Sequence, residues 1–105
     1  MKDFLFEFYF YKTLMNTNDE VKKINQFSNN NIALFSAHQT MGRGRINRKW
    51  LSRKGDLTCS FLINRKFKLK EIGQINLWFS HILLSLLKKK FPKQKFKIKW
   101  PNDIY

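Results

Sequence analysis

Residues 42 to 50 read Gly42-Arg43-Gly44-Arg45-Ile46-Asn47-Arg48-Lys49-Trp50, and two of the chain's four glycines alternate here with arginines. Interleaved Gly and Arg suit neither a helix interior nor a central strand, because Gly loses the most backbone entropy when fixed. They suit a loop whose N–H groups turn toward one point while guanidinium forks converge on it. A phosphate or carboxylate fits such a loop, since it accepts bidentate hydrogen bonds from Arg and further ones from a backbone nest. Trp50 closes the run with an aromatic surface that can stack on a base or cover an apolar group.

Composition limits what can carry this loop. A chain of 105 residues makes one small domain or a piece of a larger one. With 43% hydrophobic and 16% aromatic residues it can form a packed core, which argues against disorder. Lysine and arginine number 21 against 7 acidic residues, a net charge of +14, so a polyanionic partner enters as one reading. The abundance of Lys, Asn, Ile and Phe accounts for many of the lysines by compositional bias alone, whereas the arginines are clustered. One cysteine, Cys59, excludes an intrachain disulfide framework and a Cys-based zinc site. No metal-ligating cluster is read from the sequence, and His38 and His81 are given no role. The segment Met1 to Glu7 lacks the apolar core and small-residue cleavage site of a signal peptide. The longest apolar stretch, Ile72 to Leu87, is broken by Gln74, Asn76 and His81 and falls short of the roughly 20 residues a bilayer requires. A soluble, cytoplasmic protein is expected.

The positioning elements follow from pattern. Phe4 to Tyr11 is dense in aromatics and reads as a strand. Asn16, Thr17 or Asn18 caps a helix, with Asp19 and Glu20 in its positive first turn and Val21, Ile24 and Phe27 at helical spacing. Ser28 to Asn31 ends that helix, and Ile32 to Ala37 reads as a short buried strand. The anion loop runs from His38 to about Asp56, and Leu57 to Ile63 is the next strand. Glu71 to Lys90 is the longest helix, with Ile72, Ile75, Phe79, Ile82, Leu83 and Leu86 on one face, Lys88 to Lys90 at its end, and Pro92 beyond. Lys95 to Trp100 alternates as a strand with Phe96, Ile98 and Trp100 inward, then Pro101-Asn102-Asp103 turns into Ile104-Tyr105. Two strands joined by a loop without a helix point to a hairpin. The fold class is therefore α+β, a mixed and mainly antiparallel sheet with helices packed against it.

Gly42 to Trp50 with Gln39 before it, Lys99-Trp100-Pro101-Asn102-Asp103 downstream, and Asn16-Thr17-Asn18 between the first strand and helix together resemble the catalytic domain of biotin protein ligases. The match spans nearly the whole chain but only the first half or so of a usual catalytic domain, a class II synthetase-like fold. The resemblance implies that biotin and ATP, with Mg²⁺, form biotinyl-5′-adenylate, whose biotin passes to a lysine of a biotin carboxyl carrier domain such as that of acetyl-CoA carboxylase. It implies that Asn16, Thr17 and Asn18 bind the biotin head and Gln39 its ureido group. Arg43, Gly44 and Arg45 would take carboxylate and phosphate, with Arg48 close by, Lys99 on a phosphate or carboxylate oxygen, and Trp50 near the adenine. Arg45 and Lys99 are the expected catalytic groups. Two anions approach one another only with fixed positive charge between them, and the substrate carboxylate is itself the nucleophile. Asn16 stands where the family usually has Ser, and Asn47 where it usually has Gly. No DNA-binding module is seen. The later strands and the small C-terminal β-domain are absent from the 105 residues, so little activity is expected of them alone. A lipoate or octanoate ligase relative and a small basic nucleic-acid-binding protein are the other two readings.

Overall fold

A computed structural model describes residues 5–100 and 102–105. It divides into two compact units, Met1–Arg65 and Lys66–Tyr105. The first holds β1 (Phe6–Tyr11), α1 (Thr17–Asn25), β2 (Asn31–Ser36), β3 (Gly42–Arg43), β4 (Lys49–Trp50) and β5 (Thr58–Leu62). Its three-stranded sheet has the order β1-β2-β5. β1 runs parallel to β2, with Phe8 beside Ala33 and Phe10 beside Phe35. β5 runs antiparallel, with Leu34 opposite Ser60 and Ala33 opposite Phe61. The sheet is thus mixed, and β3 and β4 form an antiparallel hairpin of their own.

The sheet has two unlike faces because side chains alternate along each strand. Tyr9, Tyr11, Ile32, Leu34 and Leu62 share the face that α1 covers, where Val21 and Ile24 meet them. Ile32, Leu34 and Val21 are buried there, and each contributes roughly 1.5–3 kcal/mol by leaving water. The opposite face is phenylalanine-rich. Phe10 stacks on Phe35 at 5.2 Å, and Phe61 meets Phe6 and Phe35 edge-on at 6.3 and 5.9 Å.

α1 starts where its cap requires. Asn16 is extended, and its Oδ1 accepts from the backbone N–H of Asp19 at 3.1 Å, with Asp19 and Glu20 in the positive first turn. The helix ends at Asn25, so Phe27 lies past it and is exposed. The strand expected from Phe4 begins at Phe6; Phe4 itself lies outside the described residues.

The second unit contains α2 (Leu69–Lys90), β6 (Ile98–Lys99) and β7 (Asp103–Ile104). The Glu71 carboxylate accepts from the Lys68 backbone N–H at 3.0 Å and caps the helix start. Ile98 faces Ile104 and Lys99 faces Asp103, and Lys97 and Tyr105 exchange backbone hydrogen bonds of 2.7 and 2.9 Å. The strand read over Lys95 to Trp100 is therefore much shorter than expected. Trp100, read as inward, is 75% exposed, because pairing stops at Lys99 and the chain turns there. Pro101 lies outside the described residues. Ile72, Ile82 and Leu86 on the expected apolar face of α2 are each more than half exposed. Among the described residues no helix is long and apolar enough to cross a membrane.

Candidate functional site

The parallel pairing of β1 and β2 continues beyond both strands. Leu14 N–H donates to the His38 carbonyl at 3.1 Å, Thr40 N–H to that of Leu14 at 3.0 Å, and Met41 N–H to that of Met15 at 2.7 Å. This ladder lays Asn16 and Thr17, at the start of α1, beside Gln39 and Met41, at the start of the arginine loop. Sequence-distant motifs become neighbours through backbone hydrogen bonds alone.

Side chains then lock the two segments together. Gln39 Oε1 accepts from the Thr17 backbone N–H at 2.9 Å and lies 3.3 Å from Thr17 Oγ1, while Gln39 Nε2 donates to Ser52 Oγ at 3.4 Å. Asn16 Nδ2 donates to the Met41 carbonyl at 3.0 Å. Ser60 of β5 joins from the sheet, bonding Thr17 Oγ1 at 2.7 Å and Asn18 Oδ1. Asn16, Thr17, Gln39 and Ser60 are all buried, so their mutual hydrogen bonds offset a desolvation cost of roughly 1–3 kcal/mol per unsatisfied group. The polar cluster is thus internally satisfied.

Residues 42 to 50 form a hairpin rather than a featureless loop. Gly42 pairs with Trp50 and Arg43 with Lys49; Gly44 N–H reaches the Arg48 carbonyl at 2.6 Å and Arg48 N–H that of Arg45 at 3.2 Å. Gly42 permits a close approach that no other residue would: a Cβ there would lie 2.5 Å from Gln39 Nε2 and 2.6 Å from the Trp50 carbonyl oxygen. Ile46 and Asn47 at the tip both have φ of 55°.

A cleft of about 400 Å³ opens between this hairpin and the start of α1, lined by Asn16, Asp19, Arg43, Asn47, Arg48 and Trp50, with Met15, Met41 and Leu51 as apolar wall. That volume is of the size that holds small molecules. Four of the sequence-selected residues, Asn16, Arg43, Arg48 and Trp50, therefore meet in one place. Thr17, Gln39, Gly44 and Arg45 do not line it. Asn18 is exposed, with its Oδ1 on Ser60. Arg45 is exposed on the hairpin, and Lys99 lies in β6 of the second unit opposite Asp103.

Asp19 and Ser60 are functional candidates that the sequence did not single out. Arg43 Nη1 and Nη2 donate to Asp19 Oδ2 and Oδ1 at 2.7 and 2.6 Å. Hydrogen bonding to Arg43 holds the Asp19 carboxyl below the usual aspartate range, and the same contact raises Arg43 further. Asp19 directly follows the Asn-Thr-Asn motif, the one sequence signal that pointed to it. Burial pushes the Cys59 thiol up, which makes it a poor nucleophile. Among the described residues no three His, Cys, Asp or Glu side chains gather as a metal site would need.

No curated protein matches the chain at a significant level. In overall fold it is similar to a biotin protein ligase from Leishmania major in complex with biotinyl-5-AMP, at a TM-score of 0.82 and 21% identity over 93% of this chain and 46% of that one. It is also similar to a biotin protein ligase from Aquifex aeolicus in complex with biotin and ATP, at 0.76 and 34% identity over 94% of this chain and 41% of that one. The chain spans less than half the length of either. The model of the biotin/lipoate A/B protein ligase family matches residues 8–105, a stretch that contains both the hairpin and the polar cluster. With the family model matching nearly the full chain, the protein belongs to the biotin/lipoate A/B protein ligase family.

Proposed function

We propose that the chain carries the acid-binding part of a biotin–protein ligase, which activates biotin with ATP and passes it to a lysine of a biotin carboxyl carrier domain. The observation that carries this reading is the gathering of Arg43, Arg48 and Trp50 around an apolar-walled cleft beside the start of α1. The similar ligases hold biotin, biotinyl-5-AMP and ATP, ligands whose carboxylate, phosphates and adenine such a cleft complements.

In the first step a biotin carboxylate oxygen attacks the α-phosphorus of ATP, the bond to pyrophosphate breaks, and a mixed anhydride forms. Both reactants are anions, so arginines placed between them lower the barrier by charge stabilisation. Arg43 and Arg48 line the cleft directly; Arg45, next to Gly44 on the same hairpin, would take a phosphate oxygen. Asn16, which lines the cleft, would contact the biotin head, Thr17 and Gln39, bonded to one another, would hold the start of α1 behind it, and Trp50, 64% exposed, offers its ring to adenine. In the second step the carrier lysine attacks the anhydride carbonyl and displaces AMP. Mg²⁺ would travel with the nucleotide, and no step is assigned to it. A cytoplasmic location accords with an unpaired, half-buried Cys59.

Titration calorimetry with biotin, lipoate and a nonspecific oligonucleotide, at two salt concentrations, tests this. Biotin is expected to bind, and Arg43→Ala to weaken it by about ten-fold or more, as loss of a charge-assisted bidentate contact does. Preference for lipoate would reassign the substrate within the family. Affinity for the oligonucleotide alone, falling steeply with salt, would replace the reading with nucleic-acid binding driven by the +14 charge.

A further inference from the structure

Three side-chain bridges tie the first turn of α1 to residues 39–43. Thr17 N–H meets Gln39 Oε1 at 2.9 Å, Asn16 Nδ2 meets the Met41 carbonyl at 3.0 Å, and Arg43 meets Asp19 through two bonds of 2.7 and 2.6 Å. The first two are neutral, and the side chains that make them, Gln39 and Asn16, are buried. The third is charged, and its side chains are 54% and 45% exposed for Arg43 and Asp19. Both of its residues line the cleft, where an incoming anion meets them.

The bonding is end-on. Asp19 takes one N–H from each terminal nitrogen of Arg43, so of the five N–H donors of a guanidinium three remain, including the Nε edge that forms the second fork. A single planar group can therefore serve one carboxylate from the protein and one from a ligand. Asp19 is itself fixed, because its backbone N–H is bound by the Asn16 cap at 3.1 Å.

We propose that Asp19 is a positioning residue: its carboxylate clamps the two terminal nitrogens of Arg43, fixes the base of the Gly42–Trp50 hairpin at the cleft, and aims the free edge of Arg43 at the carboxylate of the ligand. Hydrogen bonding to Arg43 keeps the Asp19 carboxyl below the ordinary aspartate range, so the clamp is ionised throughout the neutral pH range. Without it, Arg43 keeps its charge and loses its direction. The ligand half of this inference rests on the biotin reading above; the hairpin half does not.

Trypsin reads the hairpin directly, because Arg43, Arg45, Arg48 and Lys49 are all cleavage sites within it. Asp19→Asn is expected to accelerate cleavage in the hairpin by about three- to five-fold, the change that loss of an exposed bidentate pair gives. Glu20→Gln removes a charge from the same first turn without touching Arg43 and is expected to leave that rate unchanged. Should Asp19→Asn be unfolded by circular dichroism, Arg43→Lys keeps the charge, loses the fork and must open the hairpin equally. Calorimetry then compares biotin with biotinamide, which has no carboxylate. Asp19→Asn should weaken biotin by about ten-fold and leave biotinamide as it was. Unchanged cleavage, or equal acceleration by Glu20→Gln, overturns the clamp; equal loss of biotin and biotinamide overturns its aim. If neither ligand binds the parent protein, the biotin reading falls and the trypsin rates alone decide the clamp.

Discussion

Ile46 and Asn47 share a left-handed backbone at φ 55°, and only one of them suits it. Asn tolerates this region by local hydrogen bonding, whereas a β-branched residue there costs about 1–2 kcal/mol. Ile46→Asn is accordingly expected to stabilise the protein by about 1 kcal/mol, read as a higher urea midpoint. A midpoint that stays put or falls would show that the tip relaxes at no cost. The tolerance of Asn47 was legible from the resemblance, which puts a glycine at its position; the strain at Ile46 was not, because no pattern of residue types encodes a φ angle. The same limit applies to pairings. Asn16 was legible as a cap, since capping acts across three residues. Asp19 reaches Arg43 across 24 residues and Ser60 reaches Thr17 across 43, distances over which a single sequence carries no signal of contact.

Elements whose boundaries depend on local chemistry came through: α1 begins at Thr17 after Asn16, one of the three caps the sequence offered, and α2 ends at Lys90 before Pro92. Those that depend on a partner did not. Lys95 to Trp100 alternates well, yet only Ile98–Lys99 finds a strand to pair with. The hairpin of β3 and β4 was hidden in a stretch whose glycines argue against strand, because two-residue strands need only one close backbone approach at Gly42. Between elements, Glu7 of β1 acts as a clasp. Its carboxylate accepts from Tyr9 Oη at 2.8 Å, Ser28 Oγ at 2.9 Å and Asn30 Nδ2 at 2.7 Å, joining β1 to the connection between α1 and β2. These donors, that of Asn30 first, lower its pKa from 4.5. A depressed carboxyl contributes stability that is present above its unfolded pKa and is lost as pH falls through the folded one. The melting temperature should therefore drop on acidification below pH 4.5, and Glu7→Gln should flatten part of that drop. An identical acid limb in the variant would remove Glu7 from the account.

At the scale of the molecule, the α+β class and mixed sheet were legible from element order and loop length, while the parallel run of β1 against β2 became visible only in the structure. Val21, Ile32 and Leu34 are the buried members of the core cluster among the described residues, and all three precede the first arginine of the hairpin. During synthesis β1, α1 and β2 thus leave the ribosome ahead of the cationic arm, and β5 follows it. The arm then settles by closing short loops onto an existing support rather than by searching for one. In refolding followed by pulsed deuterium labelling, the amides of Ile32 to Leu34 should gain protection before that of Gly44; simultaneous protection would mean that support and arm assemble as one.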